Sequence, residues 1–132
     1  MATTDNIKSF IAHEAITEFS LVSLHTNGKV KPTAVGTDKT CVGIAQRTVA
    51  AGEPVEVVTY GISRAIAGDS ITASTEPRLK SVTSPGKTAG RVEAVASGDF
   101  AVCRMIPNIN QTTAAAGDQI LVMFNGPIIV EP

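Results

Sequence analysis

The stretch Ala50-Ala51-Gly52-Glu53-Pro54-Val55-Glu56-Val57-Val58-Thr59-Tyr60-Gly61 joins a tight turn to an alternating strand. A glycine allows the positive φ that such turns need, and an acid beside it can accept hydrogen bonds from nearby amides. Val55 and Val57 alternate with Glu56, which is the period of two that a sheet with distinct faces requires. The stretch therefore predicts a β-turn that leads into a β-strand.

The same phrase, a small residue followed by glycine and an acid, recurs along the chain. Its copies are Ala51-Gly52-Glu53, Ala67-Gly68-Asp69, Ser97-Gly98-Asp99 and Ala116-Gly117-Asp118. Each copy is followed by a segment rich in residues that favour strands. The segment around Gly117 also matches the one around Gly52, but the match is short and fits a shared hairpin pattern without establishing a duplication. An all-β chain of turn-then-strand units is expected.

Three hairpins are predicted from the turn signals of the chain. Asn27-Gly28 is the strongest short hairpin signal in the chain. A second hairpin joins residues 40–46 to the strand after Gly52. A third joins residues 90–96 to residues 100–106 around Gly98-Asp99.

Length and composition limit the possible classes of function. The 132 residues suit one domain, and its core must be built from small side chains because there is no Trp, one Tyr and four Phe. A net charge of -1 gives no broad attraction to nucleic acid or to anionic membranes. No apolar run approaches the ~20 residues of a membrane span, and no secretory signal is visible. Neither nucleic acid nor a membrane is expected as a partner.

A search for catalytic residues identifies no site. Cys41 or Cys103 would need a nearby base, and the candidates are His13 and His25, but no nucleophile motif surrounds either cysteine. Both cysteines are expected to be buried free thiols that act as small hydrophobic groups.

Metal binding is not expected either. The spacing of the two His and two Cys residues is not that of a zinc site. Four acids are candidate calcium ligands, but each lies in a turn where a carboxylate already has a local role; they are Asp38, Asp69, Asp99 and Asp118. The sequence predicts no catalytic residue, no metal and no cofactor.

The order of the phrases resembles the small capsid decoration, or cement, proteins of tailed bacteriophages. The resemblance covers residues 10–106. It rests on an ordered series of short phrases: Ala15-Ile16, Asn27-Gly28-Lys29-Val30, Val42-Gly43-Ile44-Ala45, Ala50 to Gly61, Ala67-Gly68-Asp69-Ser70-Ile71-Thr72, Arg78-Leu79-Lys80, Gly90-Arg91-Val92-Glu93-Ala94 and Ser97-Gly98-Asp99-Phe100-Ala101-Val102.

The resemblance implies a small antiparallel β-barrel or tulip-like sandwich with an extended N-terminal arm. The arm would be residues 1–13, the β domain residues 14–106, and a C-terminal strand extension packed on the same domain residues 107–132. It further implies a non-enzymatic homotrimer, made in the host cytoplasm, that binds the major capsid protein on the outer surface of the phage head and stabilises the expanded shell.

Three apolar residues of the predicted arm are candidate contacts with the capsid or a neighbouring subunit: Ile7, Phe10 and Ile11. Phe10 and Ile11 could equally pack under their own domain. Two other functions stay open. One is a different phage structural component, such as a tail-tube, spike-base or head-completion protein. The other is a small β-barrel hydrolase that depends on a cysteine.

Overall fold

The computed structural model describes residues 6–34, 40–82, 86–96, 100–106 and 111–129. These residues form strands and turns and contain no α-helix, so the predicted all-β class is confirmed. The strands are β1 (Ile7–Ile11), β2 (Leu21–Leu24), β3 (Val30–Pro32), β4 (Cys41–Ala45), β5 (Pro54–Val58), β6 (Gly61–Ile66), β7 (Ile71–Thr72), β8 (Arg78–Ser81), β9 (Val92–Ala94), β10 (Phe100–Met105), β11 (Thr113–Ala114) and β12 (Gln119–Ile129).

The strands form two five-stranded antiparallel sheets with the same connectivity. Sheet one has the order β1-β5-β4-β2-β3, and sheet two has the order β6-β12-β10-β8-β9. If the strands of each sheet are numbered from its own start, both orders read first, fifth, fourth, second, third. The short pair β7 and β11 is the counterpart of a single bridge between Ile16 and Val49 in the first half.

Neither sheet closes into a barrel, although the two edge strands of each sheet meet at one point. Ala12, just after β1, forms a single parallel bridge with Val30, and Ala67, just after β6, forms the same bridge with Val92. One bridge cannot continue a hydrogen-bonded ladder around a barrel, which needs a full register of paired residues. Of the two folds that the resemblance implied, the described residues do not form the closed barrel, and the tulip-like sandwich stays a prediction.

The two halves are copies of one structural unit, which we call repeat one (residues 6–59) and repeat two (residues 61–129). Ala12 N donates to Glu53 O at 2.9 Å, and Ala67 N donates to Asp118 O at 2.9 Å. The matching segments are Ile11-Ala12-His13-Glu14-Ala15-Ile16 with Ile66-Ala67-Gly68-Asp69-Ser70-Ile71, and Thr48 to Val58 with Thr113 to Met123. The short match seen in the sequence is thus part of a duplicated fold.

Each repeat has an equivalent inner core. The eight buried residues of the repeat-one core are Ala12, Ile16, Val22, Val30, Ala45, Val49, Val55 and Val57. The equivalent positions of repeat two hold Ala67, Ile71, Leu79, Val92, Met105, Ala114, Ile120 and Val122. Burying a Val, Leu or Ile side chain contributes roughly 1.5–3 kcal/mol, so the alternating pattern stabilises both repeats in the same way.

The repeats are joined by a shared part of the core. Leu21, Cys41 and Ile44 belong to repeat one but pack within the core cluster of repeat two. A side-chain hydrogen bond of 2.9 Å from Gln46 to Ser63 also crosses the joint. The predicted burial of both cysteines as free thiols is confirmed. The single domain expected from the length therefore contains two repeats with a common core.

One predicted hairpin is wrong. β9 does not pair with β10; it pairs with β8, and β10 lies between β8 and β12. The reason is the connectivity of the repeat, in which the fourth strand inserts between the second and fifth, as β4 does in sheet one. Gly98-Asp99, the proposed turn of that hairpin, lies outside the described residues. The hairpin at Asn27-Gly28 is confirmed: it joins β2 to β3, and Gly28 has a φ of 86°.

The predicted arm and extension both contain strands of the sheets. The arm, residues 1–13, includes β1, which pairs with β5 along its length, while residues 1–5 lie outside the described part. The C-terminal extension, residues 107–132, contributes β12, which pairs with β6 and β10. The division of the chain into arm, domain and extension stays a prediction.

Candidate functional site

Strand β1 lies at the edge of sheet one, and its pairing shows which main-chain groups are open. Thr59 N donates to Asn6 O at 2.8 Å and Ala12 N donates to Glu53 O at 2.9 Å, so the even-numbered residues of β1 face β5. Alternate residues of a strand point their N–H and C=O groups in opposite directions. Ile7, Ser9 and Ile11 therefore direct theirs away from β5. The parallel bridge between Ala12 and Val30 uses the C=O of Ile11, so the open groups are those of Ile7 and Ser9 and the N–H of Ile11.

A groove lies along this open edge. It has a volume of about 480 Å³ and lies between β1 and the turn that joins β2 to β3. Its lining residues are Ser9, Phe10, Ile11, Asn27, Gly28 and Lys29. The groove ends at the bridge between Ala12 and Val30, where His13 N donates to Val30 O at 2.7 Å. The site is thus an unpaired strand edge beside a concave surface.

The charge around the groove is positive. Lys29 lines it, Lys8 precedes its first lining residue on β1, and Lys31 lies two residues beyond it on β3. No carboxylate of the described residues forms an ion pair with any of these three lysines. Glu53, the acid nearest the bridge on β5's side, accepts a 2.8 Å hydrogen bond from Ala50 N in its own turn. Lys29 is therefore a charged lining residue of the groove that forms no ion pair with a described carboxylate.

At the end of the groove, two histidine rings stack. His13 follows the bridging Ala12, and His25 lies three residues before Gly28; their ring centroids are 3.8 Å apart and the rings are 16° from parallel. This stack joins the segment after β1 to the β2–β3 hairpin.

The equivalent place in repeat two is closed by ion pairs. Lys87, three residues before Gly90, places Nζ 2.7 Å from Asp69 Oδ2 and 2.6 Å from Glu93 Oε1. The hydrogen bond from Lys87 lowers the pKa of the Asp69 carboxyl, and Asp69 and Glu93 raise the pKa of Lys87. Repeat two thus neutralises its own lysine at this junction, whereas the lysines of repeat one have no acid partner among the described residues.

The structure separates the three predicted contact residues. Ile7 and Ile11 lie on the outer face of β1, with 55% and 41% of their surface exposed. Phe10 lies on the opposite face and packs against the core of repeat one. Ile7 and Ile11 are therefore available for contact in this structure, and Phe10 is half-buried.

Sequence reasoning missed two exposed apolar residues next to them. Tyr60 and Ile62, at the link between the repeats, are 54% and 63% exposed. A Cβ on Gly61 would lie 3.5 Å from the Asn6 side chain, so the start of β6 lies beside the start of β1. Aligning the two repeats in the sequence would have identified Ile62, because Ile62 and Ile66 occupy the positions of Ile7 and Ile11.

The residues considered for catalysis are not brought together. Cys41 and Cys103 are both buried, and burial raises the pKa of Cys41 to about 12 and raises that of Cys103 as well. His13 and His25 stack on each other, and neither belongs to the core cluster that contains both cysteines. A buried thiol with a raised pKa is a poor source of the thiolate that a cysteine nucleophile needs.

Two of the considered calcium ligands have local roles. Asp69 Oδ1 accepts a hydrogen bond from Ser70 N at 2.8 Å, and Asp118 Oδ2 accepts one from Ala115 N at 2.9 Å. Asp38 and Asp99 lie outside the described residues. Within the described ranges, no group of three or more His, Cys, Asp and Glu side chains could hold a metal ion. The same ranges contain no helix long and apolar enough to cross a bilayer.

Comparison with solved structures identifies a likeness over nearly the whole chain. The structure is similar to the N base of the head fiber gp8.5 of bacteriophage phi29, with a TM-score of 0.65 over 92% of this chain and 96% of that chain. The two sequences are 12% identical, so the likeness establishes the fold alone. No family model matches the chain, and no curated protein matches its sequence. The chain therefore has the fold of a phage head protein.

Proposed function

We propose that this protein is a structural component of a phage head, and that it decorates the outer surface of the shell by binding the major capsid protein. The observation that carries the proposal is the likeness to a head fiber base over nearly the whole length of both chains. The sequence resemblance to decoration proteins over residues 10–106 points in the same direction. In this role the protein acts by binding and stabilises the expanded shell without catalysis.

The contact surface would include the exposed apolar side chains where the two repeats meet. Ile7, Tyr60 and Ile62 are each more than half exposed, and Ile11 extends the row along β1. Apolar side chains that are exposed side by side are typical of protein interfaces, since burying them is favourable. Many copies on a lattice gain from avidity, so each contact need contribute little on its own. A homotrimer would present this surface three times.

The structural likeness also favours a second candidate, the base of a head fiber. A fiber base would bind the same head but would carry a further structure outward. Copy number and the presence of a fiber in the same particle distinguish this candidate from a decoration protein, and a tail or vertex protein would occur in only a few copies.

The first experiment is the stoichiometry of this chain relative to the major capsid protein in purified particles, by quantitative mass spectrometry. A ratio near one, or a simple fraction such as one third, would support regular decoration. A few copies per particle would move the protein to the tail or a vertex, and absence from particles would overturn the proposal. Analytical ultracentrifugation of the purified chain tests the homotrimer separately.

A second experiment tests the contact surface. Purified shells that lack the protein are mixed with the wild type, with Ile62→Ser, or with Leu24→Ser. Leu24 is a matched control because it is also about half exposed but lies on β2. We expect Ile62→Ser to lower occupancy of the shell and Leu24→Ser to leave it unchanged. Equal occupancy for all three proteins would exclude this surface.

The structural role also makes a prediction about the thiols. Replacing both Cys41 and Cys103 by Ser should leave shell binding intact and lower stability by roughly 1–3 kcal/mol, because a hydroxyl would be buried in an apolar core. Loss of a hydrolytic activity in this variant would instead support the cysteine hydrolase.

A further inference from the structure

We propose that the open edge of β1 binds an extended acidic segment of a partner protein, which adds to sheet one as a further strand. An edge strand presents unpaired N–H and C=O groups, and an extended peptide can satisfy them with regular main-chain hydrogen bonds. Ile7 and Ser9 supply both kinds of group, and Ile11 supplies its N–H, because its C=O takes part in the bridge to Val30. The inference concerns this edge alone and does not depend on a role in a phage head.

The side chains of β1 specify the pattern of the added strand. Ile7, Ser9 and Ile11 lie on the outer face, and the two isoleucines are exposed. Cross-strand neighbours on one face contact each other, so alternate apolar side chains of the added strand would cover Ile7 and Ile11. The groove between Ser9–Ile11 and Asn27–Lys29 gives the segment a second wall.

Charge decides which partner fits. Lys29 lines the groove, and no described carboxylate forms an ion pair with Lys8, Lys29 or Lys31, so an acidic segment would gain favourable pairs. Glu56, the acid in register with Ser9, is already paired with Arg47. A second copy of this chain fits less well, because pairing β1 with β1 would bring the lysines of both copies together. Repeat two provides the internal comparison, since there Asp69 and Glu93 already neutralise Lys87.

The test uses the full-length ¹⁵N-labelled protein and a short synthetic peptide in which Val and Glu alternate. We expect the amide resonances of Ile7, Ser9 and Ile11 to shift on titration, and a peptide with Lys in place of Glu to bind much more weakly. Binding of the Glu peptide weaker than about 1 mM would overturn the proposal. So would equal binding of both peptides, or shifts centred elsewhere. Concentration-dependent shifts of these residues without peptide would assign the edge to a second copy.

Three variants make the test specific. Ser9→Pro removes an N–H that faces the open edge and leaves the β1–β5 ladder intact, so it should abolish peptide binding in a folded protein. Arg64→Pro is the matched control, because Arg64 holds the equivalent position on β6, and it should bind the peptide like the wild type. Lys29→Glu, which leaves the main chain unchanged, should weaken binding about tenfold. Unchanged binding in both Ser9→Pro and Lys29→Glu would overturn the proposal.

Discussion

The same cross-strand pair of positions is buried in repeat one and exposed in repeat two. Leu21 pairs with Ile44 across β2 and β4, and both are fully buried. Their counterparts, Arg78 and Arg104, pair across β8 and β10 and are exposed. Repeat one therefore uses this face to pack on repeat two, whereas repeat two turns a charged face to solvent. The duplication is a head-to-tail arrangement in which the second copy acts as a cap, as terminal repeats do in repeat proteins.

The largest expected effect comes from exchanging residues between these faces. Ile44→Arg should destabilise the fold by more than about 4 kcal/mol, because it places an unpaired charge in the shared core. Urea denaturation followed by circular dichroism measures this change. The matched variant Arg104→Ile should change the free energy of unfolding by less than about 0.5 kcal/mol, since the site is exposed.

Arg104→Ile also tests the idea of a cap. It replaces a charge by an apolar side chain on the face that repeat one uses for packing, so this variant should self-associate more than the wild type in sedimentation experiments. Two results together would contradict the cap: sedimentation of Arg104→Ile that is the same as that of the wild type, and only a small loss of unfolding free energy in Ile44→Arg. They would mean that the two faces are equivalent.

The next effect concerns two glycines at equivalent places. Gly28 and Gly90 have φ values of 86° and 87°, but a Cβ on Gly28 would meet open space while one on Gly90 would lie 2.9 Å from Ser20 Cβ. Gly28→Ala should cost about 1–2 kcal/mol from the left-handed conformation alone. Gly90→Ala should cost roughly 1–3 kcal/mol more, because the added methyl overpacks the site. Equal losses in denaturant melts would contradict the close approach.

The fold could be predicted from the sequence where local rules decide it. The positive φ of Gly28, Gly52 and Gly117 follows from turn chemistry, and the alternation in β5 follows from its two faces. The placement of β10 between β8 and β12 could not be predicted from neighbouring residues, because it depends on pairings between segments far apart in sequence. The repeat itself would have revealed it, since β4 and β10 hold the same place.

The candidate site was harder to predict. Ile7, Phe10 and Ile11 could all be selected as apolar residues near the start of the chain. Side chains alternate along β1, however, so Phe10 lies on the core-facing side, opposite to Ile7 and Ile11. The groove and its unpaired lysines arise only when the turn at Gly28 is brought beside β1. A local sequence pattern cannot predict that β1 and the β2–β3 turn lie side by side, because β2 separates them in the sequence.

A smaller effect tests the two junctions. Lys87→Met should lower stability by about 1–2 kcal/mol, because the buried Glu93 carboxylate loses its 2.6 Å ion pair with Lys87. Lys29→Met is the control in repeat one and should have almost no effect, because Lys29 has no described acid partner. Thermal melts of both variants at neutral pH measure the difference.

The same junction predicts an acid dependence. The pKa of Asp69 is lowered in the folded protein by Lys87, so its contribution to stability is complete above the pKa of the unfolded carboxyl and is lost as the pH falls through the folded value. Acidification from pH 7 to about pH 3 should therefore narrow the stability gap between wild type and Lys87→Met. A gap that stays constant over this range would show that Lys87 acts by packing and not by charge.

The smallest effect is the difference in reactivity between the two thiols. Cys41 comes from repeat one and Cys103 from repeat two, but both lie in the one core cluster that joins the repeats. The thiolate is the reactive form, and burial raises both thiol pKa values, to about 12 for Cys41, so neither should react in the folded state at about pH 8. If the repeats unfold as one unit, a thiol reagent should modify both at the same slow rate, which mass spectrometry of tryptic peptides can follow. Faster modification of Cys41 would mean that repeat one opens alone while repeat two stays folded. Opening of repeat one alone would remove Leu21 and Ile44 from the core cluster that both repeats share. Because this would also disrupt the core of repeat two, we expect equal modification rates for Cys41 and Cys103.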